Sequence, residues 1–220
     1  VDAGFLELVR YGIRKADDPL MIDSLHVVDA VLKVDTPFGS CWHRYNHDGY
    51  GKREDGGPFL SWGKGRAWPL LSGERGHYEL AAGHDTKPLI RAMEGLSSPA
   101  GLLPEQVWDE KDWPEVHMFL GRATGSAMPL MWAHAEYIKL LRSVSDGRVF
   151  DLVPEVSDRY LAAPNNRQRF EVWKHNRQVR RVKNGHTLRV QVPAPVRLHW
   201  TCAEWHTYNA QPSSGTILAN

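Results

Sequence analysis

The sequence predicts a mainly helical chain that ends in a small antiparallel β module. Two observations carry this. Up to about residue 150, apolar residues recur every three or four positions, the spacing that gathers them on one face of a helix. Beyond it the period drops to two. Phe170-Glu171-Val172-Trp173, Leu188-Arg189-Val190-Gln191-Val192 and Val196-Arg197-Leu198-His199-Trp200 read as half-buried strands. The domains expected are therefore residues 1–150, helical, and 151–220, β-rich, with Pro154 to Asn166 as the linker or wrap between them.

The elements follow in order. Asp18 then Pro19 is an N-cap followed by proline at the first helical position, and Leu25, Val28 and Leu32 continue at helical spacing to about Val34. Thr36 to Gly65 is rich in Gly, Pro, Asp and Asn. A loop of that length in a compact domain is usually functional, and its aromatic and charged residues favour that reading. Trp68 to Ala82 reads as a helix closed by Gly83. Thr86 to Leu96 is another, with Leu89, Met93 and Leu96 on one face. Pro129 to Leu141 is a third, with Leu130, His134, Tyr137 and Leu141 in register. Helices separated by functional loops suggest an array of helical hairpins. In the tail, Asn184-Gly185 between Arg180-Arg181-Val182 and Thr187-Leu188-Arg189 signals a β-hairpin, and Pro193 and Pro195 punctuate the next connection.

Composition narrows the function. Lys and Arg total 27 against 26 Asp and Glu, a net charge of +1, so no nucleic-acid or membrane-surface partner is expected from charge. No run of 18 apolar residues occurs, so no membrane span is expected. The start, Val1-Asp2-Ala3-Gly4-Phe5-Leu6, has neither a basic region nor the apolar core of a signal peptide, which leaves the cytoplasm as the default location. It also lacks an initiator Met, as a processed or cut chain would. Cys41 and Cys202 are too few for a disulfide framework. Nine Trp are many for 220 residues, and several are flanked by Arg, Asp or Glu, as in sugar sites.

The segment from Gly101 to Asp109, Gly-Leu-Leu-Pro-Glu-Gln-Val-Trp-Asp, carries the sharpest chemical signal. It sets Glu105 in a Gly/Pro-bounded loop beside Trp108. A carboxylate can move a water proton while an indole packs on the apolar face of a pyranose. Arg44 and Asp48, four residues apart, form a donor fork and an acceptor that suit sugar hydroxyls, and equally suit a salt bridge that organises the loop. Trp68-Pro69 opens a helix, so the Trp68 ring can face a cavity at the helix mouth. Glu74 and Glu79, five apart on a helix, diverge too widely to flank one bond and read as surface or tethering charges. His43, His47, His77 and His84 show no His-Glu-x-x-His pattern, so no metal site is expected. His134 and Glu136 read as packing and capping partners of the loops. No phosphate-binding Gly-rich loop or Gly-x-Ser-x-Gly elbow is present.

Four blocks in order resemble glycoside hydrolase family 15, in its bacterial glucoamylase, glucodextranase and trehalase-like branch. They are Arg44 to Gly51, Gly65 to Gly83, Gly101 to Asp109, and Pro129-Leu130-Met131-Trp132-Ala133-His134-Ala135-Glu136-Tyr137. The tail from Val172 looks like the β module that follows the catalytic barrel in glucodextranase-like relatives. The resemblance implies the C-terminal part of an (α/α)6 barrel acting on α-glucans from the non-reducing end with inversion. Glu105 would be the general base. Arg44 and Asp48 would hold the terminal glucose, Trp68 would help wall its pocket, and Trp108 would lie beside the base. The family's general acid lies in a Trp-Glu-Glu type segment upstream of the Arg/Asp block, and none stands here. An inverting site needs both carboxyls. The chain alone is therefore expected to be silent or nearly so. The alternative is an inactive carbohydrate-binding or scaffold fragment. Helix faces meant for absent neighbours imply a homo-oligomer or a complementing N-terminal segment. Calcium occurs in some relatives, but no ligand set stands out here, so no cofactor is expected.

Overall fold

The computed structural model describes residues 1–162, 170–202 and 204–215. The chain divides into two compact units, Val1–Pro164 and Asn165–Asn220.

The first unit is mainly helical. A 3-10 turn, Ala3–Leu6, is capped by the Asp2 carboxylate, which accepts from the Gly4 N–H, and runs into α1, Glu7–Arg10. Helix α2, Pro19–Leu32, starts as the sequence dictates: Asp18 accepts from the Leu20 N–H at 3.0 Å and Pro19 follows. It stops at Leu32 because the chain turns straight into β1, Lys33–Thr36, which pairs antiparallel with β2, Gly39–Trp42. This hairpin takes in the last residues that read as helix from sequence, Lys33 and Val34, and the start of the segment from Thr36 that reads as loop. Its strands are only four residues long, and packing sustains them. Cys41 and Trp42 are buried, and Gly39, at φ +130°, lies so close to the helix Lys87–Leu96 that a Cβ would stand 2.7 Å from that of Ala92.

Three helices carry the core: α3, Pro69–Ala81; α4, Lys87–Leu96; and α5, Met131–Asp146. The middle one, α3, is buried over most of its length and packs against both others. Gly73 and Gly76 admit α5 closely. A Cβ at either would stand 2.6 Å from Glu136 Cγ or from Leu140 Cδ2 respectively. Val28, Leu32, Trp42, Trp68, Leu70, Met93, Leu103 and Leu140 fill the space around it. Leu89, Met93 and Leu96 form the buried face of α4, as their spacing predicts.

Helix α5 departs from expectation. It runs to Asp146, where Gly147 at φ +65° caps it. Its buried stripe is Ala133, Glu136, Leu140 and Ser143, whereas Leu141 is exposed. A polar residue stands on the core face because Glu136 is ion-paired there. Arg10 donates to its two oxygens at 3.0 and 2.9 Å, and His77 Nδ1 lies 2.9 Å from Oε1. Arg10 also bonds Asp151, which ties the segment after α5 into this unit. The short helix α6, Pro154–Ser157, and the turn Asp158–Ala162 follow, so part of the expected linker belongs to the first unit. Residues 163–166 of that linker lie outside the described residues.

Among its described residues, the second unit holds two small sheets. β3, Phe170–Trp173, pairs parallel with β4, Thr187–Val190, and β5, Arg197–Trp200, pairs antiparallel with β6, Asn209–Pro212. The expected antiparallel module thus holds for one pair only. Asn184-Gly185 does turn the chain, with the Lys183 carbonyl accepting from the His186 N–H at 3.1 Å and Gly185 at φ +77°. Arg180-Arg181-Val182 is no strand, however, and β4 takes β3 as its partner. The observed pairing puts the Arg189 guanidinium 5.4 Å from the Phe170 ring centre, whereas a hairpin would set the cations of 180–183 near it. No described residue of this unit is fully buried.

Candidate active site

The site grows from the loop between β2 and α3. Arg44 Nε donates to Asp48 Oδ2 at 2.9 Å and Nη2 to Oδ1 at 3.0 Å, a two-pronged grip. Asp48 Oδ1 also accepts the Tyr50 N–H at 2.9 Å, and the Gly65 N–H closes on the Asp48 carbonyl at 2.7 Å. Gly65 is needed there, since its Cβ would stand 2.5 Å from Asp48. The Asp48 side chain is consequently 3% exposed with both oxygens engaged, whereas Arg44 keeps 29% of its side chain open. Partial burial works against the Arg44 charge, but the Asp48 bonds outweigh it and raise its pKa. The guanidinium lies 4.7 Å from the Trp68 ring centre and 5.2 Å from those of Tyr45 and Tyr50.

Trp68, the N-cap residue of α3, is buried, and its N–H donates to the Trp42 carbonyl at 2.8 Å. Its ring meets Trp132 edge-on, centres 6.4 Å apart, and lies 6.4 Å from Tyr50. The Trp68 indole N–H has no acceptor among the described residues. Tyr50 packs edge-on against Phe59.

Glu105 is half-buried on an extended segment. Its N–H donates to the Ala127 carbonyl at 2.8 Å, and the Val107 N–H to the Ala67 carbonyl at 2.9 Å, just before α3. The Tyr50 hydroxyl stands 3.4 Å from both Glu105 oxygens, a long shared contact. The Glu105 charge, helped by some burial, raises the Tyr50 phenol above its ordinary value. The chain thus brings Arg44, Asp48, Tyr50, Trp68 and Glu105 into one constellation. A cavity of about 730 Å³ adjoins it on the Asp48 side, lined by His43, Tyr45, Trp62 and Lys64 among others, and does not reach Glu105.

Trp108 does not join them. It is 1% exposed, its indole donates to the Lys111 carbonyl at 2.9 Å, and the Arg66 guanidinium lies 4.1 Å from its ring centre. A ring covered in this way offers no face to a sugar, so the expected sugar contact is corrected to support of the Glu105 segment. The spacing of Glu105 and Trp108 could not show this, because the covering residue lies 42 positions away in sequence.

Glu79 is a tether, as expected, accepting from Arg75 Nε and His84 Nδ1 at 2.6 Å each. Glu74 is buried in the core instead of lying on the surface, and burial together with the Glu136 charge pushes its carboxyl up to about 7. His134 Nε2 accepts from the Leu103 N–H at 3.0 Å and so caps the turn before Glu105. Tyr50, Trp132 and Arg66 are the residues that sequence reading passed over. Each lay inside a quoted block, but only the folded loop shows what it touches. Among the described residues, no group of three His, Cys, Asp or Glu is placed to hold a metal ion, and no helix is long and apolar enough to cross a membrane.

Comparison with known proteins adds to this geometry. The model of the family described as Glycosyl hydrolases family 15 matches residues 1–142, ending inside α5. A glucoamylase of Clostridium sp. (strain G0005) is 48% identical over 162 residues, 74% of this chain and 22% of that protein. The crystal structure of a bacterial glucoamylase complexed with acarbose superposes with a TM-score of 0.67 at 48% identity, over 73% of this chain and 23% of that one. A wild-type glycosidase structure is 25% identical with a TM-score of 0.50, over 66% of this chain and 36% of its own. The chain therefore spans about a fifth of the length of the glucoamylases it matches.

Proposed function

The chain belongs to glycosyl hydrolases family 15, and from that premise we propose that it is the base-bearing part of a glucoamylase-type enzyme. The reaction is hydrolysis of α-glucosidic bonds from the non-reducing end of α-glucans, with inversion. Helices α2 to α5 form the C-terminal part of an (α/α)6 barrel in this reading, and the β-rich tail follows it.

One observation carries the proposal: the Tyr50 hydroxyl joins Glu105 to the ring cluster that holds the Arg44–Asp48 pair. Glu105 is open enough to bind a water and acts as general base, taking its proton as the water oxygen attacks the anomeric carbon. Arg44, with part of its side chain exposed and its charge fixed by Asp48, donates to hydroxyls of the terminal sugar. Asp48, fully engaged, holds that sugar through Arg44. Trp68, with Trp132 across its edge, walls the pocket. Inversion needs a second carboxyl roughly 6.5–9.5 Å from the base, with water between them. Apart from Asp48, on Arg44 and Tyr50, and Glu105, on the Tyr50 hydroxyl, no carboxylate among the described residues bonds to this group, and in this reading the general acid comes from outside them.

The test is complementation. Purified chain is incubated with maltotriose alone, and again with the remaining part of the Clostridium glucoamylase. The expected result is no glucose from either part alone and glucose from the mixture. Acarbose bound without turnover under all conditions would favour the inactive carbohydrate-binding fragment instead.

A further inference from the structure

We infer that Arg66 is the positioning residue that sets Glu105 against the Arg44–Asp48–Tyr50 loop. This deepens the reading above and rests on it. Arg66 is 0% exposed, yet its guanidinium is bonded at every nitrogen. Nε donates to the Lys52 carbonyl at 2.9 Å and Nη2 to the Arg53 carbonyl at 3.0 Å, which fixes the end of the Tyr50 loop. Nη1 donates to Asp109 Oδ1 and Glu110 Oε1 at 2.8 Å each, which fixes the end of the Glu105 segment. The same residue's backbone N–H donates to Gln106 Oε1 at 3.0 Å, and Gln106 Nε2 donates to the Tyr50 carbonyl at 3.2 Å. The Trp108 ring backs the guanidinium.

Arg66 thus joins two segments more than fifty residues apart in sequence, on either side of the contact between the Tyr50 hydroxyl and Glu105. A planar fork with five N–H groups can do this, whereas a lysine ammonium, with three donors at one point, cannot reach carbonyls and carboxylates on both sides. A rigid frame outside the reacting groups is what holds a general base to within a fraction of an ångström of its water.

Tyr50 supplies the readout, because the nearby Glu105 charge raises its phenol. The chain is labelled with 13C at the tyrosine rings, the Tyr50 signal is assigned with Tyr50→Phe, and its titration is followed in wild type, Arg66→Lys, Glu105→Gln and the double variant. Glu105→Gln brings Tyr50 down toward the ordinary phenol value near 10. Arg66→Lys, which keeps the charge, removes at least half of that same shift in the wild-type background and adds nothing in the Glu105→Gln background. Glu110→Gln takes away one arm, leaves Arg66 in place, and moves Tyr50 the same way by less; it decides the matter if Arg66→Lys does not fold. An unmoved Tyr50 titration in a folded Arg66→Lys chain, or in Glu110→Gln where Arg66→Lys fails to fold, overturns the proposal. None of these readings needs turnover, so the positioning role and the hydrolytic reading fail separately.

Discussion

Two clusters of acids and bases meet the same helix, α3, and behave in opposite ways. At the N-cap of α3, Trp68 lies under Arg44, and the nearby Glu105 meets its partner Tyr50 at a loose 3.4 Å on half-open ground. Along the middle of α3, Glu74 and His77 are buried with Arg10 and Glu136, and the bonds there are near 3 Å. In the second cluster burial works against charge. Even so, the bonds from His77 and Arg10 hold the Glu136 carboxyl below its usual range, and those from Glu136 and Asp151 hold the Arg10 guanidinium above its own. Residue type alone does not separate an open site from a buried scaffold. What separates them is whether the polar groups are already satisfied by one another or left able to accept a ligand.

Breaking the buried cluster should therefore cost the most stability. Glu136→Gln takes from Arg10 and His77 the carboxylate they share, and should lower unfolding free energy by about 3–5 kcal/mol in urea denaturation. A loss under 1 kcal/mol would mean the cluster is not a single unit. Next comes a pH effect on Glu74. Its carboxyl sits at about 7 in the fold against an ordinary 4.5, so the folded chain keeps a proton that the unfolded chain releases. Wild-type stability from this group is full below about pH 4.5 and falls as pH rises to about 7. Glu74→Gln should match wild type at pH 4.5 and exceed it at pH 8 by on the order of 2–3 kcal/mol. Parallel stability curves for the two across that range would contradict the burial argument. At the open site the same kind of change should barely matter to the fold: Glu105→Gln is expected within about 0.5 kcal/mol of wild type. Smallest of all is Arg142→Ala. Its pair with Asp146 on α5 is solvent-exposed, and the expected change is about 0.3–0.5 kcal/mol, read from the same denaturation series.

The open site was the more legible of the two from sequence. Glu105, Arg44, Asp48 and Trp68 lie in short blocks that resemble those of the family, although residue type and spacing alone suited a loop salt bridge and a solvated carboxylate equally, and three helices declared themselves through caps and apolar periodicity. The buried cluster did not, because a Glu on the core face of α5 contradicts the periodicity rule, and its partners Arg10 and His77 come from far along the chain. The same cause hid the β1–β2 hairpin, the parallel pairing of β3 with β4, and the covered face of Trp108. Each is decided by a tertiary neighbour and not by local pattern.

Glu105 as the base that activates water for single displacement has one direct test. The direct measurement is the anomeric form of glucose first released from maltotriose by the complemented enzyme, followed by proton NMR before mutarotation, alongside the Glu105→Gln form. β-Glucose is expected first, with a rate about 10²–10⁴-fold lower in Glu105→Gln. α-Glucose first, or an undiminished rate in that variant, would contradict it.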